Sequence, residues 1–274
     1  MKHYEIERRE ADFNAGRDRG KDTIQQFGTL QELTPTVDMQ FTIGTSVAIR
    51  TRMDLLMGQY MLLRGEDRRR AEFPDLFTVD SLNEGVKGHV PMLCLRLGQG
   101  KVRSFSFALT FGQTNQEGKA QYGVAFRNKD VRYCPVGAVA LWLFHRFHIL
   151  SEPWPNFSNR LEWYSMKLLS KIANSHEPMS PDAHREICNS AFAKAQCVYL
   201  SGTHVGRREG CKLADMLDVP DAQMRRLGRW DSSRMTQHYS TGMPRQGARI
   251  LAGHGADPGI LMLINSNIKQ ETIF

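Results

Sequence analysis

Apolar side chains at Ile49, Met53, Leu56, Tyr60 and Leu63 recur at intervals of four, three, four and three residues. Such a run must bury one helical face, so residues 45–64 predict an amphipathic helix capped by Thr45 or Ser46. Gly65 then lets the chain turn, and Phe73-Pro74-Asp75-Leu76 marks the boundary of a strand-rich stretch. Met92–Leu97, Phe105–Phe111 and Tyr122–Phe126 have strand composition, separated by turn signals at Gly98-Gln99-Gly100 and Gln113–Gly118. Downstream the pattern is helical. Pro135 opens a helix through Ile149, and further helices are expected over Leu161–Asn174, Ala183–Gln196, His204–Leu217 and Ala222–Leu227. This order predicts a mainly α fold with a small antiparallel β-sheet. A polar arm or linker is expected over residues 1–40, with a short helix near Tyr4–Phe13. One domain is expected over 41–254, and a tail over 255–274 with one apolar stretch, Ile260–Ile264.

Composition narrows the chemistry. Five scattered cysteines (Cys94, Cys134, Cys188, Cys197 and Cys211), odd in number and without C-x-x-C spacing, argue for reduced thiols rather than disulfides or a zinc finger. No apolar run reaches the length of a membrane span, and Met1–Glu10 is charged rather than signal-like. The formal charge is +7 and the pI near 9.3. Arginines cluster at 68–70, at Arg207-Arg208, at Arg225, Arg226 and Arg229, and at Arg245 and Arg249. A guanidinium's planar fork suits phosphate oxygens, so a polyanionic partner is expected.

Thr203–Tyr239 holds the chemistry. His204 and Arg207 are three residues apart, one helical turn, and can address the same ligand. Lys212 to Arg225 has a helix–turn–helix pattern. Trp230 follows, and Tyr239 comes nine residues later. Each residue also has a structural reading. Arg64 could close a helix C-terminus and pair with Asp67 or Asp75; His204 could be a partly buried histidine, Trp230 core, and Tyr239 a packing residue.

In order and spacing the chain resembles the tyrosine recombinases, over about Thr45 to His254. Arg64 ending a helix with Asp67 three residues on is similar to the family's first box, His204-x-x-Arg207 to its second, and Trp230 before Tyr239 to its last. Leu63-Arg64-Gly65-Glu66-Asp67, Gln113-Thr114-Asn115, Cys134-Pro135-Val136-Gly137-Ala138 and Leu227-Gly228-Arg229-Trp230 resemble the fungal branch. That branch holds Crypton-type recombinases and the large DNA-binding subunit of the budding-yeast centromere-binding complex. The resemblance implies a recombinase catalytic-domain fold, and Tyr239 attacking a DNA phosphodiester to leave a 3′-phosphotyrosyl link without metal or cofactor. Arg64 and Arg207 would clamp the non-bridging oxygens, His204 would shuttle the proton, and Trp230 would donate through its indole N–H.

One position departs from the family. Gln113 stands where a catalytic lysine is expected, and an amide cannot serve as a general acid; Lys119 or Lys101 would have to reach in from a neighbouring turn. The chain is also expected to lack the family's N-terminal DNA-clamping domain and to stop early at its tail. The leading expectation is therefore a nuclear, catalytically degenerate domain that binds double-stranded DNA, as a homodimer or within a larger assembly, with no membrane. Its contacts would come from Arg64, Lys119, Arg207, Arg208, Arg225, Arg229 and Arg245. The alternatives are an active strand-transfer enzyme and a helical protein-binding scaffold.

Overall fold

The computed structural model describes residues 33–82, 84, 88–97, 121–171, 174–197 and 202–230. The chain divides into two compact units, Met1–Thr241 and Gly242–Phe274, and all described residues lie in the first. Among them the helices are α1 (Leu33–Ile43), α2 (Ser46–Tyr60), α3 (Gly65–Arg70), α4 (Pro135–Phe144), α5 (Arg160–Trp163), α6 (Pro181–Lys194), α7 (Val205–Met216) and α8 (Asp221–Gly228). Strands β1 (Leu76–Ser81), β2 (Val90–Leu97) and β3 (Gln121–Ala125) form an antiparallel sheet in that order; β4 (Ser170–Lys171) and β5 (Asn174–Pro178) form a hairpin. The expected strand at Phe105–Phe111 and the helix near Tyr4–Phe13 lie outside the described residues. No helix among the described residues is long and apolar enough to cross a membrane.

Helix α2 is the centre of the described residues, and it is not amphipathic as its period suggests. Every residue from Ala48 to Gly58 is buried. Polar residues on its other faces bond to the protein rather than to water. Arg50 donates to the Ser170 carbonyl at 3.0 Å, and Arg52 donates to the Val131 and Arg132 carbonyls at 3.0 and 2.7 Å. Asp54 sits in an ion pair. A helix surrounded on all sides can carry charge only where each group has a partner, and here they do. Thr45 is the cap, its side chain accepting from Ala48 N at 3.3 Å.

The helix stops at Tyr60, not at Arg64. Met61 closes the last turn through its bond to Met57 O, and Leu62 then turns left-handed at φ 47°. Leucine takes that conformation at a cost of roughly 1–2 kcal/mol, so something must hold it. Arg64 lies beyond the break in extended backbone, and its N–H donates to Asp67 Oδ2 at 2.9 Å to start α3. The sheet presses on this turn. Leu93, Leu95, Leu97 and Ala125 face the core, and a Cβ on Gly123 would lie 2.9 Å from Leu63 Cδ2.

The helix expected over Leu161–Asn174 is only one turn, α5, followed by the β4–β5 hairpin. Its helical hydrogen bonds are outcompeted. The carbonyls of Lys167, Leu168 and Ser170 accept from Arg146, the Trp142 indole and Arg50. Leu168 N and Lys167 N donate to Ala71 O and Ser175 O.

Helices α2 and α7 cross at glycines. A Cβ on Gly206 would lie 2.9 Å from Leu55 O, and one on Gly210 would fall on the Gln59 carbonyl. Gly210→Ala should therefore lower unfolding free energy by about 1–3 kcal/mol despite alanine's better helix propensity. Gly137→Ala in α4, where the added carbon meets Cys134 at 3.6 Å, should be neutral or stabilising. Urea denaturation of the two variants checks the contrast.

Candidate functional site

Two turns meet beside this crossing: 61–64 before α3, and 202–204 before α7. Each is held by an arginine from the helix that follows the other turn. Arg207, from α7, donates through Nη1 to the Leu62 carbonyl at 2.5 Å and through Nη2 to Gly228 O at 2.8 Å. Arg68, from α3, donates through Nη2 to the Thr203 carbonyl at 2.6 Å. Arg229 adds bonds to Met61 O at 2.9 Å and to Leu62 O at 2.5 Å, from its own left-handed position at φ 56°. Burial, then the neighbouring Arg207, lowers the Arg229 pKa to about 10. Trp230 is buried with the Arg207 guanidinium 5.3 Å above its ring, and a Cβ on Gly228 would strike that ring.

The sequence reading missed the buried groups that anchor Arg68. Asp54 pairs with Arg68 Nη1 at 3.1 Å, and His184 Nε2 lies 2.8 Å from the same carboxylate oxygen. The Cys188 thiol donates to it at 3.7 Å. Burial pushes the Asp54 carboxyl up, but Arg68 and His184 override it and leave its pKa below the ordinary value. Burial pushes the Cys188 thiol well up, so it stays protonated. Ligand atoms of Asp54, His184 and Cys188 lie within 4.8 Å of one another, a spacing a metal ion could use. Arg68 already serves as the cation there. A divalent ion would stand against it and against Arg69, which is 3.1 Å from His184 Nδ1.

His204 is the exposed member of the group, at the N-terminus of α7. Partial burial, then the charges of Arg68, Arg207, Arg64 and Arg69, lower its pKa below the ordinary 6.5. The structure therefore brings Arg64, His204, Arg207 and Trp230 into one neighbourhood, with Arg207 and Trp230 buried and Arg64 and His204 reaching solvent. Arg208 lies 3.8 Å from Glu209 and Arg225 pairs with Asp221 at 2.9 Å, both partly exposed; Arg229 is committed to carbonyls. Tyr239, Gln113, Lys101, Lys119 and Arg245 lie outside the described residues.

Residues 7–258 match the family described as domain 2 of the centromere DNA-binding protein complex CBF3 subunit. The chain belongs to this family. Among solved structures, two complexes of the XerH site-specific recombinase are similar. The post-cleavage complex on palindromic difH substrate has a TM-score of 0.53 at 11% identity, covering 81% of this chain and 51% of that one. The pre-cleavage complex on difH has a TM-score of 0.51 at 12% identity, covering 80% and 50%. The fold is that of the tyrosine recombinases, and the chain spans about half the length of the recombinase chains it matches. Comparison with curated proteins finds no match.

Asp54→Ala leaves Arg68 buried without its partner and should cost about 3–5 kcal/mol in urea denaturation. The depressed Asp54 pKa fixes the pH sign. Its contribution is present above the ordinary carboxylate value of 3.8 and is lost as pH falls through the lower folded value. The variant should show less of this acid-induced loss than the wild type.

Proposed function

We propose that this domain binds double-stranded DNA by its phosphates, at the surface formed by Arg64 and His204, as a nuclear component of a centromere-type assembly. One arrangement carries the reading: the turn that ends in exposed His204 is clamped by Arg68 and lies against the turn that carries Arg64, so the charges of Arg68, Arg207, Arg64 and Arg69 all act on the imidazole. Asp54 balances Arg68, and the positive charge that remains attracts an anion. Family membership and the recombinase fold support a nucleic-acid phosphate as that anion. Arg207 and Arg229 donate to carbonyls, so they build the surface and add charge to it. Arg208, Arg225, Lys119 and Arg245 would extend the backbone track, and a homodimer or larger assembly would multiply it. Strand cleavage is not required by this reading, because Gln113 cannot supply the leaving-group proton that a lysine would.

A second reading is favoured by the state of His204. Its lowered pKa leaves the imidazole neutral, able to accept a proton from a tyrosine hydroxyl attacking phosphorus. An active strand transferase would then form a covalent adduct through Tyr239 on a nicked suicide duplex, and Tyr239→Phe would abolish it.

Binding to a labelled duplex, followed by anisotropy, should weaken by roughly 10³ or more between about 50 and 200 mM salt if six or more phosphates are contacted. Arg64→Ala should make the log–log slope shallower by about one. An affinity indifferent to salt contradicts DNA binding by phosphate contact.

A further inference from the structure

Arg69 has an arrangement that neither the box pattern nor the fold accounts for. It lies on α3, partly exposed, with its guanidinium folded back toward Gly65 and Thr203: a Cβ on Gly65 would lie 3.2 Å from Arg69 Nη1 and 3.0 Å from Thr203 Cβ. Its nearest acidic neighbour on the helix, Glu66, is engaged by Arg70 at 2.8 Å. Among the described residues Arg69 makes one hydrogen bond, from Nη1 to His184 Nδ1 at 3.1 Å, and no salt bridge. A guanidinium has five N–H donors and cannot accept. The other donors of Arg69 lie beside Gly65 and the turn before His204, and its charge is offset by the fields of Glu66 and Asp54 rather than by a direct ion pair.

The same bond fixes the state of His184. Because Arg69 only donates, His184 Nδ1 must carry a lone pair, and the proton sits on Nε2, where it is donated to Asp54 Oδ2 at 2.8 Å. A neutral imidazole thus passes the anchorage of the buried carboxylate outward to an arginine at the surface. The relay runs from Asp54 in α2 through His184 in α6 to Arg69 in α3.

We propose that Arg69 is a further phosphate-binding residue of the DNA surface, and that neutral His184 is the positioning residue that aims it. This rests on the DNA-binding reading above. The ligand chemistry is a non-bridging phosphodiester oxygen beside the one addressed by Arg64, reached by the Arg69 donors that His184 leaves unused. Arg69 then supplies, for binding, a cation that the box pattern does not assign.

Two amides at position 184 separate aiming from folding. Glutamine's amide can replace Nε2 and keep the bond to Asp54 but not the acceptor for Arg69; asparagine's oxygen can replace Nδ1 and keep Arg69 but not Asp54. The experiment is a salt titration of duplex binding by wild type, Arg69→Gln, His184→Gln, His184→Asn, the double variant Arg69→Gln/His184→Gln, and Arg185→Gln as an exposed control, with thermal melts of each. Arg69→Gln should lower affinity roughly ten-fold at fixed salt and make the slope shallower by about one. His184→Gln should move both in the same direction, and the double variant should lose no more than Arg69→Gln alone. His184→Asn should melt lower yet keep the wild-type slope, and Arg185→Gln should match wild type. If Arg64→Ala flattens the slope while Arg69→Gln leaves it unchanged, the assignment of Arg69 is overturned and DNA binding stands. If wild type itself shows no salt-dependent binding, both are overturned.

Discussion

The main-chain oxygen of Leu62 receives two guanidiniums, from Arg207 and Arg229, and the geometry of the site follows from that contact. Leu62 is a leucine in left-handed backbone, a conformation that glycine normally fills. Charge-assisted bonds to its carbonyl offset that strain and fix the direction in which the chain leaves α2. Arg64 follows two residues later. In the facing turn, Arg68 does the same for the Thr203 carbonyl, one residue before His204. The two clamps are reciprocal, and both depend on the glycine crossing that lets α2 and α7 approach closely enough for side chains to reach carbonyls. Separating those helices by the width of one methyl group would loosen both turns together.

Burial divides the arginines into two groups. Arg68 and Arg207 are 2% and 1% exposed and point at carbonyls or a carboxylate, so their charge is fixed in place. Arg64 and Arg69 are partly exposed beside His204. A buried cation cannot move to meet a ligand, but its field acts across the low-dielectric wall and falls little with salt. The exposed pair can make the directional contacts. The surface combines a permanent positive background, from Arg207 since Asp54 balances Arg68, with a few adjustable donors, which suits a ligand presenting the same phosphate group at every step.

Much of this was legible in the sequence, and the remainder has a physical reason for being hidden. The helices over Pro135–Phe144, Pro181–Lys194 and Val205–Met216 sit close to where they were expected, because signals such as Pro135 at a first helical position act within a few residues. The His204–Arg207 pair stays in one neighbourhood, but Arg207 is buried and turned to the Leu62 and Gly228 carbonyls rather than toward a shared ligand. What could not be read is long-range pairing. Asp54 and His184 are 130 positions apart, and nothing local marks either as half of a buried hydrogen bond. The same holds for Arg50 and Arg52, which look like the wet face of α2 until their carbonyl partners, 120 and 80 residues away, are known. The helix expected after Leu161 failed for that reason too, since its carbonyls are taken by side chains from α2, from α4 and from the π-helical segment His145–Ile149 that continues it. A motif can show that an arginine matters; only the fold shows whether it holds the ligand or the loop.

The central claim is that an anionic phosphodiester completes the cationic cluster around His204. The direct measurement is the pKa of the His204 imidazole by NMR, with and without a short duplex. In the free domain it should lie below 6.5, depressed by burial and by the guanidiniums of Arg68, Arg207, Arg64 and Arg69. Saturating DNA brings negative charge against those cations, so the value should rise and the complex should take up a proton as pH falls. A His204 pKa that is the same in the free and bound domain would contradict the account.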